Sequence, residues 1–363
     1  MRTIRKIHLY AGLALSTLLV VIALSGSLLV WKEAWWRAVY DPIDGPPPAL
    51  TAQDKADALA IILDRYGTSV RTVKFPTDEL PAWVLYLDDG QALLNATTLA
   101  PIDQWRRRER LMPFLFDLHA HLLMGETGEQ VAGFAGLAGV VMALTGIILW
   151  WPARRRFRLA HLWPQGTSRP QMIRWHRDLG LVFAPLLLVL LLTGSGMIFY
   201  QTSMAVLNGL FGAPERISAP IPEQLPGKQE RLTRHDLTSV QAAFPDGQIV
   251  FYSPPREGNP THSFRLKRPC EIHPNGRTRV VAAATDGEIL LTSDACAVAG
   301  GQKAQNLLYP LHAGKVGSLF YKWLVFAGGL TLAALAFSGV WAYARKIAKG
   351  ERRRRQPSAR PIA

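Results

Sequence analysis

Nine histidines occur among the 363 residues, and four of them recur at matched places in two halves of the chain. His8 is followed by glycine 4 and 18 residues on, at Gly12 and Gly26, and His176 is followed at the same spacings by Gly180 and Gly194. His119 and His312 form a second matched set, since each follows a leucine and precedes a glycine by 27 residues, Gly146 and Gly339. A neutral imidazole is a good iron ligand, and ionisable side chains at the edge of apolar helices mark function. Two imidazoles from two helices fill both axial positions of one haem, so the spacing pairs His8 with His176 at one membrane face and His119 with His312 at the other. Six-coordinate iron keeps no site for oxygen or substrate, and haems held this way relay electrons. No Cys-x-x-Cys-His motif occurs, which excludes covalent c-type attachment and leaves two haem b groups as the expected cofactors.

Residues 18 apart lie five helical turns up the same face, and a flat macrocycle between helices needs the notch that glycine leaves there. Close packing of membrane helices uses the same small residues, so Gly12, Gly26, Gly180 and Gly194 carry both readings. His121 stands outside the repeat. Two positions along a helix rotate a side chain by about 200°, so His119 and His121 cannot face one iron from one regular helix. The repeat register makes His119 the ligand, with His121 as the alternative.

Four apolar stretches have the length to hold these groups across a bilayer: residues 9–31, 131–151, 181–200 and 319–343. The first follows Arg2, Arg5 and Lys6 in the manner of a signal peptide, but its apolar stretch is too long and no A-x-A site follows. The formal charge of +14 gathers beside these stretches, as helix orientation requires, so nucleic acid is not an expected partner. By the positive-inside rule the N-terminus, the loop with Arg154, Arg155, Arg156 and Arg158, and the arginines at 352–355 are cytoplasmic. Arg106, Arg107, Arg108 and Arg110 then fall on the outer side, which is tolerable because loops above roughly 60 residues translocate regardless of charge. That run suits an anionic ligand or haem propionates, and equally a solvated surface. With straight helices, the 33 residues from His312 to Arg345 would put the two histidine layers about 50 Å apart.

The expected fold is a mainly α membrane protein: a four-transmembrane-helix bundle with two α+β modules outside it, built as an internal duplication. The boundaries are a first span at 1–31, a module at 32–117, a span at 118–152, a cytoplasmic loop at 153–173, a span at 174–200, a module at 201–310, a span at 311–345 and a basic tail at 346–363. In the first module a helix at 51–66 precedes strands at 70–75, 83–87 and 91–95; in the second a helix at 233–244 precedes strands at 248–252, 262–266, 278–283 and 288–292. Pro-rich linkers at 42–48 and 214–226 bound the modules. The only cysteines, Cys270 and Cys296, are too few for a zinc or iron-sulfur site and read as a disulfide in an oxidising compartment.

With these residues in view, the sequence resembles the PepSY-associated transmembrane family of iron-regulated inner-membrane proteins, and within it the FoxB-like ferrisiderophore reductases. The signatures are His8-Leu-Tyr-Ala-Gly12, Leu118-His119 through Gly125-Glu126, Arg174-Trp-His176-Arg-Asp-Leu-Gly180 and Leu311-His312-Ala-Gly314. The resemblance implies PepSY-like modules in the periplasm, a bacterial inner-membrane location with both termini cytoplasmic, and a haem-dependent oxidoreductase that reduces Fe3+ to Fe2+ in a ferric siderophore. The flavodoxin-like domain fused to some relatives is not among these residues, so the expected donor is quinol or a separate cytoplasmic flavin reductase. Membrane lipid and the ferric siderophore are the expected partners. Two other functions compete: a non-enzymatic PepSY membrane regulator, disfavoured by the matched spacings, and a metal transporter with histidines as direct ligands, disfavoured by spans whose middles carry no charge.

Overall fold

The computed structural model describes residues 1–40, 43, 45–213, 234–256 and 260–355. The first half runs α1 (Arg2–Leu29), α2 (Lys32–Val39), α3 (Ala52–Tyr66), β1 (Val70–Lys74), β2 (Ala82–Leu87), β3 (Gly90–Asn95), β4 (Pro101–Arg106), α4 (Leu111–His121) and α5 (Gly125–Trp150). The second half repeats this order: α6 (Arg169–Ile198), α7 (Tyr200–Phe211), α8 (Arg234–Ala243), β5 (Gln248–Ser253), β6 (Thr261–Lys267), β7 (Thr278–Ala283), β8 (Ile289–Ser293), α9 (Gly300–His312) and α10 (Leu319–Arg355). Four helices, α1, α5, α6 and α10, are long and apolar enough to cross a membrane, which makes the chain a multi-pass membrane protein.

In the bundle, α1 packs against α10 and α5, and α6 packs against the same two, so α1 and α6 face each other across the centre. Small residues set the closest approaches. The Ser27 hydroxyl donates to the Phe326 carbonyl beside Gly329, and the Ser195 hydroxyl donates to the Gly133 carbonyl beside Gly136. These two seams stand at the same residue offsets that relate His8 to His176 and His119 to His312.

Over one end of the bundle lies a single eight-stranded antiparallel sheet, in the order β4-β3-β2-β1-β5-β6-β7-β8. The two expected modules thus share one sheet, joined by a short seam that pairs Val73 with Tyr252 and Lys74 with Phe251. Pairing β1 with β5 removes two edges that would otherwise present unpaired backbone groups. One sheet face packs under α3 and α8 through Leu59, Ile62, Trp83, Leu85, Leu237, Phe264 and Leu266. In the first half the opposite face closes over Trp36, Val84, Leu93, Trp105, Met112 and Leu115, as the two-residue alternation of strands demands. Strand β4 was not expected from the sequence. It begins at Pro101 and carries Asp103 and Arg106, features that suit the edge position it occupies. The linker at 214–226 and Thr233 lie outside the described residues.

The helix expected over 118–152 is not continuous. It ends at His121, and Leu122 and Leu123 adopt left-handed backbone angles (φ 50° and 62°) before α5 starts at Gly125. Such residues cannot continue a right-handed helix, and each costs roughly 1–2 kcal/mol outside glycine. In the second half α9 ends at His312, Gly314 takes φ 71°, and α10 starts at Leu319. His119 and His312 therefore sit at the ends of short helices set beside the bundle, not on the spans. Cys270 and Cys296 form a disulfide with Cα atoms 6.1 Å apart, tying the loop after β6 to the loop after β8.

Candidate functional site

Each of the four repeated histidines faces another across the bundle. The His8 and His176 rings have centroids 6.2 Å apart and planes at 88°. The His119 and His312 rings, at the sheet end, are 5.9 Å apart with planes at 41°. With a metal–imidazole bond of about 2.0–2.1 Å, two imidazoles that held one metal between them would have ring centres about 6 Å apart. Both pairs stand close to that separation.

The hydrogen bonds decide which nitrogen each ring offers. His119 Nδ1 meets the Ile22 carbonyl at 2.8 Å, His176 Nδ1 the Leu335 carbonyl at 2.9 Å, and His312 Nδ1 the Leu190 carbonyl at 2.9 Å. A carbonyl only accepts, so these three Nδ1 atoms carry the proton and donate. His8 Nδ1 meets the Thr145 hydroxyl at 2.9 Å, and that hydroxyl already donates to the Val141 carbonyl at 2.8 Å. His8 therefore donates from Nδ1 as well. All four Nε2 atoms keep their lone pair, as a metal-binding imidazole oriented by its other nitrogen does, and none makes a hydrogen bond among the described residues. The rings are half-buried although helices surround them. Donor chemistry and spacing fit two bis-imidazole haems. No group of three or more His, Cys, Asp or Glu gathers as a metal site among the described residues.

Glycine clears the space around each ring, but the pairing differs from the expected one. A Cβ on Gly26 would lie 2.6 Å from His119 Cε1, and one on Gly194 would lie 2.8 Å from His312 Cε1. Gly146 and Gly339 abut His8 and His176 at 3.5 Å and 3.7 Å in the same sense. Gly12 instead meets Met142 and Gly180 meets Leu335. Gly26 and Gly194 thus serve the histidine layer at the far end of their helix, not the histidine they follow. The 14 to 18 residues of α1 between His8 and the Ile22 and Gly26 contacts of His119 put the layers about 21–27 Å apart along the axis. That replaces the distance of about 50 Å, because His119 and His312 tuck down beside the bundle on α4 and α9.

Hydroxyls were overlooked in the sequence. Thr145, Thr193 and Ser338 each contact an Nδ1 atom, of His8, His312 and His176 respectively. Each directly precedes a ring-facing glycine, as Ser25 precedes Gly26, so a hydroxyl-glycine dipeptide opposite every histidine was the available signal.

His121 turns to Asp117, its Nδ1 3.3 Å from the carboxylate, and its ring lies against Phe116. Asp117 is buried and also faces Arg108 at 2.5 Å. The arginine run is mostly committed: Arg110 pairs with Asp103 at 2.8 Å and Arg106 lies 3.6 Å from Asp89. At the other end of the bundle, Asp178 is fully buried two residues after His176 and accepts from His161 Nδ1 at 2.7 Å and from Arg177 at 2.6 Å.

Among known sequences, the family model described as PepSY-associated TM region matches residues 5–346. A search of curated proteins returns no similar sequence.

Proposed function

The chain belongs to the PepSY-associated TM family, and from that premise we propose that it is a FoxB-like ferrisiderophore reductase of a bacterial inner membrane, with His8 and His176 holding one haem b and His119 and His312 a second. The observation that carries this reading is the geometry of the two histidine pairs, 6.2 Å and 5.9 Å between rings, with every Nδ1 donating and every Nε2 left for a metal. When bound, such a haem supplies one-electron transfer without an open coordination position. The residues around it orient the imidazoles, keep the ligating nitrogen unprotonated and leave room through Gly26, Gly146, Gly194 and Gly339.

The positive-inside rule assigns the His8 and His176 end to the cytoplasm, which makes the sheet a pair of periplasmic PepSY-like modules. The repeated element order and the matched serine-glycine seams support an internal duplication. Each ferric ion takes one electron. A quinol, giving two electrons and releasing two protons, serves two ferric ions, and a separate flavin reductase is the other donor class. An electron moving outward travels toward the positive side and gains about 2.3 kcal/mol per 100 mV for a full crossing.

The test is an absorption spectrum of the purified protein with its haem-to-chain ratio. About two haems per chain, with an α-band that sharpens on reduction, are expected from two bis-imidazole sites. A colourless preparation from haem-replete cells would overturn the assignment.

A further inference from the structure

A cleft of ≈ 790 Å³ opens where the ends of β1, β5 and β6 meet the turn between α9 and α10. It falls in the size range of pockets that take small molecules, about 300–1,000 Å³. Its wall carries five lysines, Lys55, Lys74, Lys267, Lys315 and Lys322, against three carboxylates, Asp78, Glu79 and Glu271. Two of those carboxylates are already engaged. Glu79 pairs with Lys315 at 2.9 Å, and Glu271 accepts from the backbone N–H groups of Arg268, Arg277 and Thr278.

Lys315 is further held by Glu33 at 2.7 Å. Lys55, Lys74, Lys267 and Lys322 have no carboxylate partner among the described residues. Lys74 is the telling one, because it is 9% exposed and forms no ion pair of its own: Glu33 and Glu79 act on it only at longer range, and both are already paired with Lys315. An ammonium withdrawn from water whose neighbouring carboxylates are held by another lysine is under-compensated, and an arriving anion reduces that cost. The floor of the cleft includes Gly314 and Lys315. Lys315 follows His312 by three residues, so its Cα lies within about 11 Å of that of His312. The first half offers no counterpart, since its bundle-side sheet face is filled by Trp36, Trp105 and their apolar neighbours.

We propose that this cleft docks the substrate as an anionic ferric chelate with hard oxygen donors, of the catecholate or carboxylate kind, and that Lys74 and Lys267 meet its negative charge. The proposal rests on the reductase reading and adds the substrate class: chelates with net negative charge are preferred over neutral trihydroxamates of the same size.

The test uses the full-length protein in phosphatidylcholine nanodiscs, titrated with gallium(III) citrate, which has the charge and donor atoms of the ferric complex but is not reduced. Wild type is expected to bind it with an affinity that falls as salt rises. Lys74→Met and Lys267→Met are each expected to weaken binding by about tenfold or more, the loss of one hydrogen bond to a charged group. Should Lys74→Met fail to fold, as judged by gel filtration, the partly exposed Lys267→Met carries the test. Unchanged affinity in the folded variants, or a preference for a neutral gallium trihydroxamate, overturns the proposal. Displacement of gallium citrate by phosphatidylglycerol at the same lysines assigns the cleft to a lipid headgroup and overturns it too. Haem content separates the two readings: a haem-free protein that binds gallium citrate through these lysines sinks the reductase and spares the cleft, whereas a haem-loaded protein oxidised by ferric citrate equally fast in wild type and both variants does the reverse.

Discussion

Gly26→Ala and Gly194→Ala test whether these glycines make room for a ligand ring or only for a neighbouring helix. The added Cβ at Gly26 would sit 2.6 Å from His119 Cε1 and 2.8 Å from its Nδ1. Carbon atoms rest about 3.5–4.0 Å apart, so the ring must retreat by roughly 1 Å. It is held by the Ile22 carbonyl at 2.8 Å, one turn below Gly26 on the same helix, and a retreat of that size breaks the bond. Overpacking costs about 1–3 kcal/mol and the hydrogen bond about 0.5–1.5 kcal/mol, while alanine returns about 1 kcal/mol of helix propensity. The net, about 0.5–3.5 kcal/mol, lowers haem affinity at the sheet-end pair by roughly twofold to three-hundredfold. Gly146→Ala is the control: its Cβ would meet His8 Cε1 at 3.5 Å, an ordinary contact. Gly12→Ala meets only Met142 Cε at 3.0 Å, the end of a flexible thioether that can swing aside. Haem-to-chain ratios and reduced-minus-oxidised spectra of the four variants read the outcome. Full haem content with an unchanged spectrum in Gly26→Ala, matching Gly146→Ala, would refute the reasoning.

His119→Ala is expected to lower bound haem from about two per chain to about one, as loss of an axial imidazole requires, whereas His121→Ala, whose ring faces Asp117, leaves the ratio intact. Loss of haem in the His121 variant alone would place the ligand at the wrong histidine. Labelling of denatured, unreduced protein from fresh membranes should find no free thiol, since Cys270 and Cys296 are bonded to each other; two labelled cysteines would contradict the pairing. Burial pushes His262 from 6.5 down to about 4 and, with Arg277 and Arg265 nearby, His273 down to about 3. Both stay neutral in the fold while the unfolded chain takes up protons near pH 6.5, so stability is full above 6.5 and falls by up to about 1.4 kcal/mol per unit for each histidine as pH drops toward 4. Thermal unfolding followed by tryptophan fluorescence checks this, and a melting temperature flat between pH 6.5 and 4 would speak against it.

Much of the architecture was legible because apolar length and strand alternation are local signals. The four spans, α3 and the strands β1, β2, β3 and β5 to β8 follow from them. The break before α5 was hidden because Leu122 and Leu123, apolar residues inside an apolar run, take left-handed angles ahead of Gly125, whereas the break before α10 falls at Gly314 and Gly317, where glycine was a readable signal. The joining of the two modules was hidden for another reason, since β1 and β5 are distant in sequence and only two residue pairs link them. The histidine pairs emerged from the repeat alone. Their glycine partners did not, because a helix-face argument follows one helix, whereas Gly26 and Gly194 act on rings delivered by α4 and α9.

Each histidine pair takes one ring from either half of the chain, and this sets an order of assembly. Synthesis proceeds from the N-terminus, so His8 can meet His176 once α6 has emerged, but His119 waits for His312 on α9. The Ser338 hydroxyl that steadies His176 arrives later still, on α10. A chain halted after α7 would present one facing pair without its last helix and one histidine with nothing opposite. Both histidine pairs are therefore complete, with all their hydrogen-bond partners, only after the final span has been made, so whatever they bind meets a finished bundle rather than a growing one.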